Sequence, residues 1–584
     1  MRKSVTFIVL ILSSLAFGQK IPKAEGYFVY FKTWNFIKYF HPDLASGKVN
    51  ADSLFFRHLP EVEQVPDKKS FNGFVKNILS DLSVTQQKQW KEGRDILDRN
   101  RDFSWFEKSA ILDKETAQQL SLVFHNRYSE EAHYFLPENN YTALLPHEKA
   151  YEFPEDTIVP SDYRMLALAK ILGAVDYLYP HKYLMEQNFD ELLKSCIVPA
   201  LECEHAKDFE TILLKLAASL QDSHSFTFYH QMKEKRAIFR NSFYPPFDYK
   251  VFDDGILVTN IIIPELCEAA DLKTGDYITA INGQSIQRRI NDLSQLLSVS
   301  NHQTLVHHLS FYPANLIWAT EKHHLKLKVV RKDKKLSRTV QFLKSSDFAI
   351  SRVNAYLVAP KHPAPEHDSL IILNRDIVYF NIHETFRFIE NTPDAEIDRH
   401  MDSLMNLVRS KKGIIFDMRA YPDWGGFVYT YLPKHFAPAL VPFAKYYEVN
   451  KQEVGTYVYK SSLETYYNAD LKVNNAPYEG KVIILINPQT QSLSEWNTMC
   501  IQQLFPNSIT IGDQSAGADG DFKTLLLPGG YELNFTGNAI FFKDGTEAQK
   551  KGVKIDRIIQ QTKENFSPDT DYLLQQALDL IEKP

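Results

Sequence analysis

The chemistry-bearing stretch that stands out first is Lys481 to Glu495, KVIILINPQTQSLSE. Its apolar, mostly β-branched run, Val482 to Ile486, reads as a strand buried on both faces of a mostly parallel sheet. Asn487-Pro488 marks a turn, after which Leu493, Trp496, Met499, Cys500 and Leu504 fall at helical spacing until Pro506. Ser492 therefore sits where a buried strand gives way to a helix. A hydroxyl there can act as a nucleophile, because the unpaired N–H groups of a helix N-terminus can hold a developing oxyanion. The same Ser492-Leu-Ser-Glu495 also fits a capping box, in which serine and glutamate do no more than satisfy the first turn.

A second group is Ser223-His224-Ser225, within LQDSHSFTF at the end of an apolar helical pattern. Taken alone, a histidine after such a helix is ordinarily structural. No spacing of cysteines and histidines matches a metal site, so no metal and no cofactor are predicted. The four cysteines, Cys196, Cys203, Cys267 and Cys500, are dispersed in apolar surroundings and read as buried thiols, with a Cys196–Cys203 bridge as the alternative.

The elements that must position these residues fall into blocks. TWNFIKYFHPDL around Pro42 matches AVDYLYPHKYL around Pro180, and the same displacement pairs Asp52 with Asp190, Leu54 with Leu192, Phe71 with Phe209 and Leu82 with Leu220. This predicts two copies of one helical unit, over 19–95 and 159–242, separated by an irregular aromatic-rich connector over 96–158. Residues 243–345 read as strands, including a hairpin that turns at Lys332 to Lys335, and 346–372 as a linker. From 373 to 584 strand and helix alternate, which predicts an α/β domain with a parallel core. The fold class is multidomain, α+β and α/β.

The chain has 584 residues, too many for one core, and a net charge of -6 with scattered basic residues gives no nucleic-acid footprint. Phenylalanine (39) and tyrosine (30) each outnumber glycine (22), which predicts bulky cores rather than low-complexity tails. The first residues, MRKSVTFIVLILSSLAFGQK, pair a basic start with a short apolar run, the pattern of a signal peptide over 1–18. A periplasmic or secreted protein without a membrane span is expected.

Five signatures then carry a resemblance. These are LQDSHSF at Leu220, DLKTGDYITAING at Asp271, IIFDMR at Ile414, SLSE at Ser492, and the closing IGDQSAGADG with LLLPGG and KKGVKID. In this order they resemble the tail-specific (C-terminal processing) peptidases and the core of tricorn protease, bacterial secreted members with a PDZ-like module. The resemblance implies a PDZ-like β-rich module that takes extended peptides by strand addition, and a ClpP/crotonase-like peptidase domain. It maps the nucleophile onto Ser492 and one oxyanion donor onto the Leu493 N–H, with Gly425 or Gly426 supplying the other. Ala518 stands where the processing peptidases carry their lysine, so the implied base is instead the tricorn-type histidine, His224, supported by Ser223. The residue that orients the ring maps onto Gln549, or onto Glu547 two positions earlier. The function so implied is a serine-type peptidase acting on polypeptides or peptides, with an inactive peptide- or apolar-ligand-binding protein, or a PDZ-centred scaffold, as alternatives.

Overall fold

Side chains that are apolar all round a helix force that helix into an interior, and the first helix obeys this rule. In the computed structural model, which describes residues 20–83, 95–135, 143–154, 157–359, 371–373, 376–463, 467, 471–473, 477–567 and 570–583, helix α1 (Lys23–Phe40) is buried from Gly26 to Phe40. The expected leader, 1–18, lies outside the described residues. Helix α2 (Ser161–Tyr177) is equally buried and packs on α1. Gly173 is required at this contact, because a Cβ there would lie 2.0 Å from Asn35 Oδ1. Asn35 Nδ2 donates across it to Ala169 O at 2.7 Å.

Reciprocal ion pairs lock the two helical stretches together. Lys32 Nζ reaches Asp176 (2.8 Å) and Asp190 (3.0 Å), while Lys170 Nζ reaches Glu148 (2.9 Å) and Asp52 (3.4 Å). Thus the two aspartates that the sequence repeat pairs each take a lysine from the opposite stretch. The connector between them is more regular than expected, since it holds a helix at Lys114–His125, capped by Asp113. The second stretch ends in α3 (Ala206–Ser219) and a run of tight turns, Ser223–Gln231, that carries His224.

The β-rich module follows, with strands β1 (Phe247–Phe252), β2 (Gly255–Ile261), β3 (Tyr277–Ile281), β4 (His324–Arg331) and β5 (Lys334–Gln341) in sheet order β1-β2-β3-β4-β5. Helix α4 (His302–Leu309) lies along the edge strand β1. In this two-residue hairpin the amides of Tyr249 and Val251 point away from β2. Both are already used, Tyr249 N–H by Asp248 Oδ1 (2.8 Å) and Val251 N–H by Ser310 Oγ (2.9 Å). At these two positions the edge offers no free donor for strand addition. The linker contains a helix, Ile350–Val358.

The last domain is built on parallel strands β6 (Ile377–Asn381), β7 (Gly413–Asp417), β8 (Lys481–Ile486) and β9 (Ile509–Gly512), flanked by helices α5 (Ile397–Arg409), α6 (Leu493–Leu504) and α7 (Tyr572–Glu582). Strand β8 is central and its five residues from Val482 onward are buried, as its apolar run requires. A hairpin, β10 (Phe522–Leu527) with β11 (Tyr531–Thr536), reaches back to the helical region. Strands Ala444–Val449 and Tyr457–Ser461, not foreseen in the sequence, form a separate antiparallel sheet. Cys196, Cys267 and Cys500 are buried, Cys203 is half-buried, and all four are free thiols. Among the described residues no helix is long and apolar enough to cross a membrane.

Candidate active site

The end of β8 is bound to its neighbour before the helix begins. Thr490 and Ser494 both donate to Met418 O, at 2.9 and 2.8 Å, fixing the turn against the end of β7. Ser492 then adopts φ 54°, ψ -123°. A capping residue ordinarily sits in the extended region, so the capping-box bonds, which are present, do not account for this backbone. A non-glycine residue held here stores strain of about 1–3 kcal/mol, and such strain gathers at functional sites. Two bonds sustain it, from Ser492 N–H to Ala518 O (3.1 Å) and to Glu495 Oε2 (3.3 Å).

Glu495 is the buried anchor of this turn. Burial raises its carboxyl above the ordinary range, opposed by four donors: Ser515 Oγ (2.6 Å), Gly517 N–H (2.8 Å), Ala518 N–H (3.0 Å) and Ser492 N–H (3.3 Å). Leu493 opens α6, so its N–H is among the donors a helix leaves without an internal acceptor. Gly425 and Gly426 follow the loop that leaves β7 at Met418 and open the helical turns that continue through Phe436. A Cβ at Gly426 would fall 2.6 Å from the Trp424 indole nitrogen, so this loop needs glycine there.

His224 is positioned by side chains that cover the open edge of β11. Gln231 exchanges two bonds with the Glu532 backbone (2.8 and 2.6 Å), Ser225 Oγ donates to Asn534 O, and Asp222 Oδ2 accepts from Thr536 N–H at 2.6 Å. The alternate residues of the strand are thereby satisfied. Within this edge, His224 Nδ1 lies 2.8 Å from Thr536 Oγ1 and 3.4 Å from Asp222 Oδ1, and the Thr536 hydroxyl donates to Asp222 Oδ1 at 3.0 Å. That direction places the ring proton on Nδ1 and leaves Nε2 as the acceptor. Nε2 is buried and has no hydrogen-bond partner.

Asp222 is wholly buried, which alone would raise its carboxyl, yet His224 and the Thr536 N–H hold it below the ordinary range. Nearby His181 is pulled down to about 4 by burial. Neither Asp222 nor Thr536 was singled out in the sequence. Asp222 lay in the quoted LQDSHSF, two residues before the histidine, and a carboxylate there was the available signal.

Neither expected orienting residue bonds the ring, whose Nδ1 is engaged by Thr536 and Asp222. Residues 547–549 form a single bridge, Phe541 to Glu547, and then a turn, so the strand alternation expected there does not apply. Glu547 instead accepts from Tyr183 Oη (2.7 Å) and Arg99 (3.2 Å), and Gln549 is buried beside Tyr179. Lys543 extends to Gln503 (3.3 Å). Asp519, adjacent to Ala518, is 4% exposed, and one of its carboxyl oxygens has no partner. Burial, then Glu495, push its carboxyl well above the ordinary range.

Ser223, the residue before the histidine, donates its hydroxyl to Ala516 O (3.5 Å), and Ser492 N–H donates to Ala518 O (3.1 Å). Those two carbonyls are two residues apart, at most ~7 Å along the chain. The histidine-bearing turn and the serine-bearing turn therefore meet on one loop. Beside them, a cleft of about 1270 Å³ opens between the β-rich module and the C-terminal ends of the parallel strands, lined among others by Lys250, His307, Asn487, Pro488 and Asp513. Ser492 and His224 are not among its lining residues, though Asn487 and Pro488 begin the turn that leads to Ser492.

Residues 376–559 match the sequence model of Peptidase family S41. No curated protein matches the chain. Among solved structures, mature CPAF complexed with lactacystin shares 11% identity at TM-score 0.46, covering 69% of this chain and 95% of that one. The photosystem II D1 C-terminal processing protease shares 13% at TM-score 0.33, covering 72% and 97%. Tricorn protease shares 13% at TM-score 0.29, covering 72% and 37%. Residues 376–559 of this chain are thus similar to Peptidase family S41.

Proposed function

We propose that the chain hydrolyses polypeptides or peptides outside the cytoplasm by acyl transfer, with Ser492 as nucleophile and His224 as base. The observation that supports this most is the His224 ring. Its Nδ1 is engaged through Thr536 to a buried carboxylate, while its buried Nε2 has a free lone pair. A buried polar atom without a partner costs stability, and a waiting proton acceptor is a reason to keep it.

In this mechanism Nε2 takes the proton of Ser492 Oγ as that oxygen attacks the peptide carbonyl. The oxyanion is held by the Leu493 N–H and an N–H of the Gly425–Gly426 loop, and the strained Ser492 backbone presents Oγ at the mouth of the helix. The imidazolium then gives its proton to the leaving amine, and water, deprotonated by the same nitrogen, releases the acyl group. Asp222 stabilises the imidazolium and, through Thr536, keeps the tautomer. The extracytoplasmic setting rests on the signal pattern at 1–18.

The test is labelling by a fluorophosphonate probe, with hydrolysis of unfolded casein measured in parallel. Wild type should be labelled and active, Ser492→Ala neither, and His224→Ala slowed by about 10²–10⁴-fold in both assays. Equal labelling of wild type and Ser492→Ala would remove the nucleophile from this reading.

A further inference from the structure

A short segment of the β-rich module, Ser298 to Asn301, which leads into α4, bonds to the turns that carry the proposed catalytic pair. Two of its serines hold the histidine side. Ser298 Oγ accepts from Asp222 N–H (3.1 Å) and donates to Asp222 O (2.9 Å). Ser300 and Ser223 bond reciprocally, Ser223 N–H to Ser300 Oγ (2.9 Å) and Ser300 N–H to Ser223 Oγ (3.0 Å). Ser298 and Ser300 are both buried.

Asn301 holds the serine side. Its Nδ2 donates to Ser515 O (2.8 Å), Ala516 O (3.0 Å) and Lys550 O (3.4 Å). Ser515 in turn donates its hydroxyl to Glu495, the anchor of the Ser492 turn, and Gly517 and Ala518 donate their amides to the same carboxylate. The other end of the Asn301 side chain caps α4, Oδ1 accepting from Thr304 N–H at 3.0 Å.

We infer that Ser300 and Asn301 are positioning residues through which the β-rich module sets the register of His224 against Ser492. This rests on the Ser–His reading above. The two turns come from distant parts of the chain, and proton transfer needs heavy atoms within about 2.6–3.2 Å. One rigid segment bonded to both turns fixes their separation, whereas bonds within either turn alone do not. The module is then part of the catalytic framework, a role separate from any peptide it carries.

The experiment follows the rate of fluorophosphonate labelling of Ser492 in the full chain. Asn301→Asp keeps the oxygen that caps α4 and loses the donor to the three carbonyls. It should slow labelling about 10²-fold, as Asn301→Ala should, because a misplacement of about 1 Å costs that much. A capping role alone predicts that Asn301→Asp labels like wild type, and that result would overturn the inference. Ser300→Ala should slow labelling and Ser300→Thr, which retains the hydroxyl, should restore it. If the Asn301 variants lose cooperative unfolding, the Ser300 pair decides, and Ser300→Ala labelling at the wild-type rate overturns the proposal. A wild type that takes no label fails the Ser–His reading itself, whereas a labelled wild type with unaffected variants fails the positioning role alone.

Discussion

His224 Nδ1 and Asp222 Oδ1 are 3.4 Å apart and share the Thr536 hydroxyl, which lies 2.8 Å from the ring nitrogen and 3.0 Å from the carboxylate. The threonine is thus a relay, accepting from the ring and donating to the acid. Thr536→Val should lower the labelling rate of Ser492 by about 10²-fold and Thr536→Ser should restore most of it. Asp222→Asn, which keeps the shape and removes the charge, should cost about 10³-fold. Rates unchanged by both substitutions would refute the relay.

Glu547 gives the opposite expectation. Its carboxylate is bound by Tyr183 and Arg99 and lies off the histidine. Glu547→Gln should therefore leave labelling within about two-fold of wild type. The lost, partly exposed ion pair should cost about 1 kcal/mol or less in urea unfolding.

Lys170 is fully buried between Glu148 and Asp52. Burial would raise the Glu148 carboxyl, but Lys170 and Lys38 hold it below the ordinary range. Lys170→Ala leaves buried Asp52 without its lysine and Glu148 with Lys38 alone, and should destabilise the helical region by about 3–5 kcal/mol. Chemical denaturation at neutral pH measures it, and a cost near zero would show that water reaches the pair.

Asp519 carries a folded-state pKa well above its unfolded one. Below the unfolded value both states are protonated, so the residue is neutral in its effect. As pH rises past that value, only the unfolded chain gains by ionising, and the folded state loses stability. Asp519→Asn should consequently raise the melting temperature at pH 7–8 and converge on wild type near about pH 4. A difference independent of pH would point to packing instead of ionisation.

Much of the architecture was legible from patterns with a direct physical cause. The run Val482 to Ile486 reads as a central strand because both of its faces are buried, and only such strands have unbroken apolar sequence. The strands Ala444–Val449 and Tyr457–Ser461 escaped notice because AKYYEV and YVYKS, each only partly buried, carry no such run. The helix Lys114–His125 was hidden for a related reason, since only Thr116 and Leu120 in it are buried and its apolar stripe is thin.

By itself, the sequence determined the strand-to-helix turn at Ser492, the Ser-His-Ser run, the helical stretches and the alternating last domain. Each of these follows from local spacing, where side-chain periodicity and turn chemistry act over a few residues. What only the tertiary structure decided is which groups bond the histidine-bearing and serine-bearing turns. Thr536 reaches His224 across 312 residues of chain, and Ser300 and Asn301 come from a different module. Partners brought together by packing leave no spacing to read, and the edge of β11, with its row of unpaired backbone groups, drew Asp222, Ser225 and Gln231 into line and set the ring where it stands.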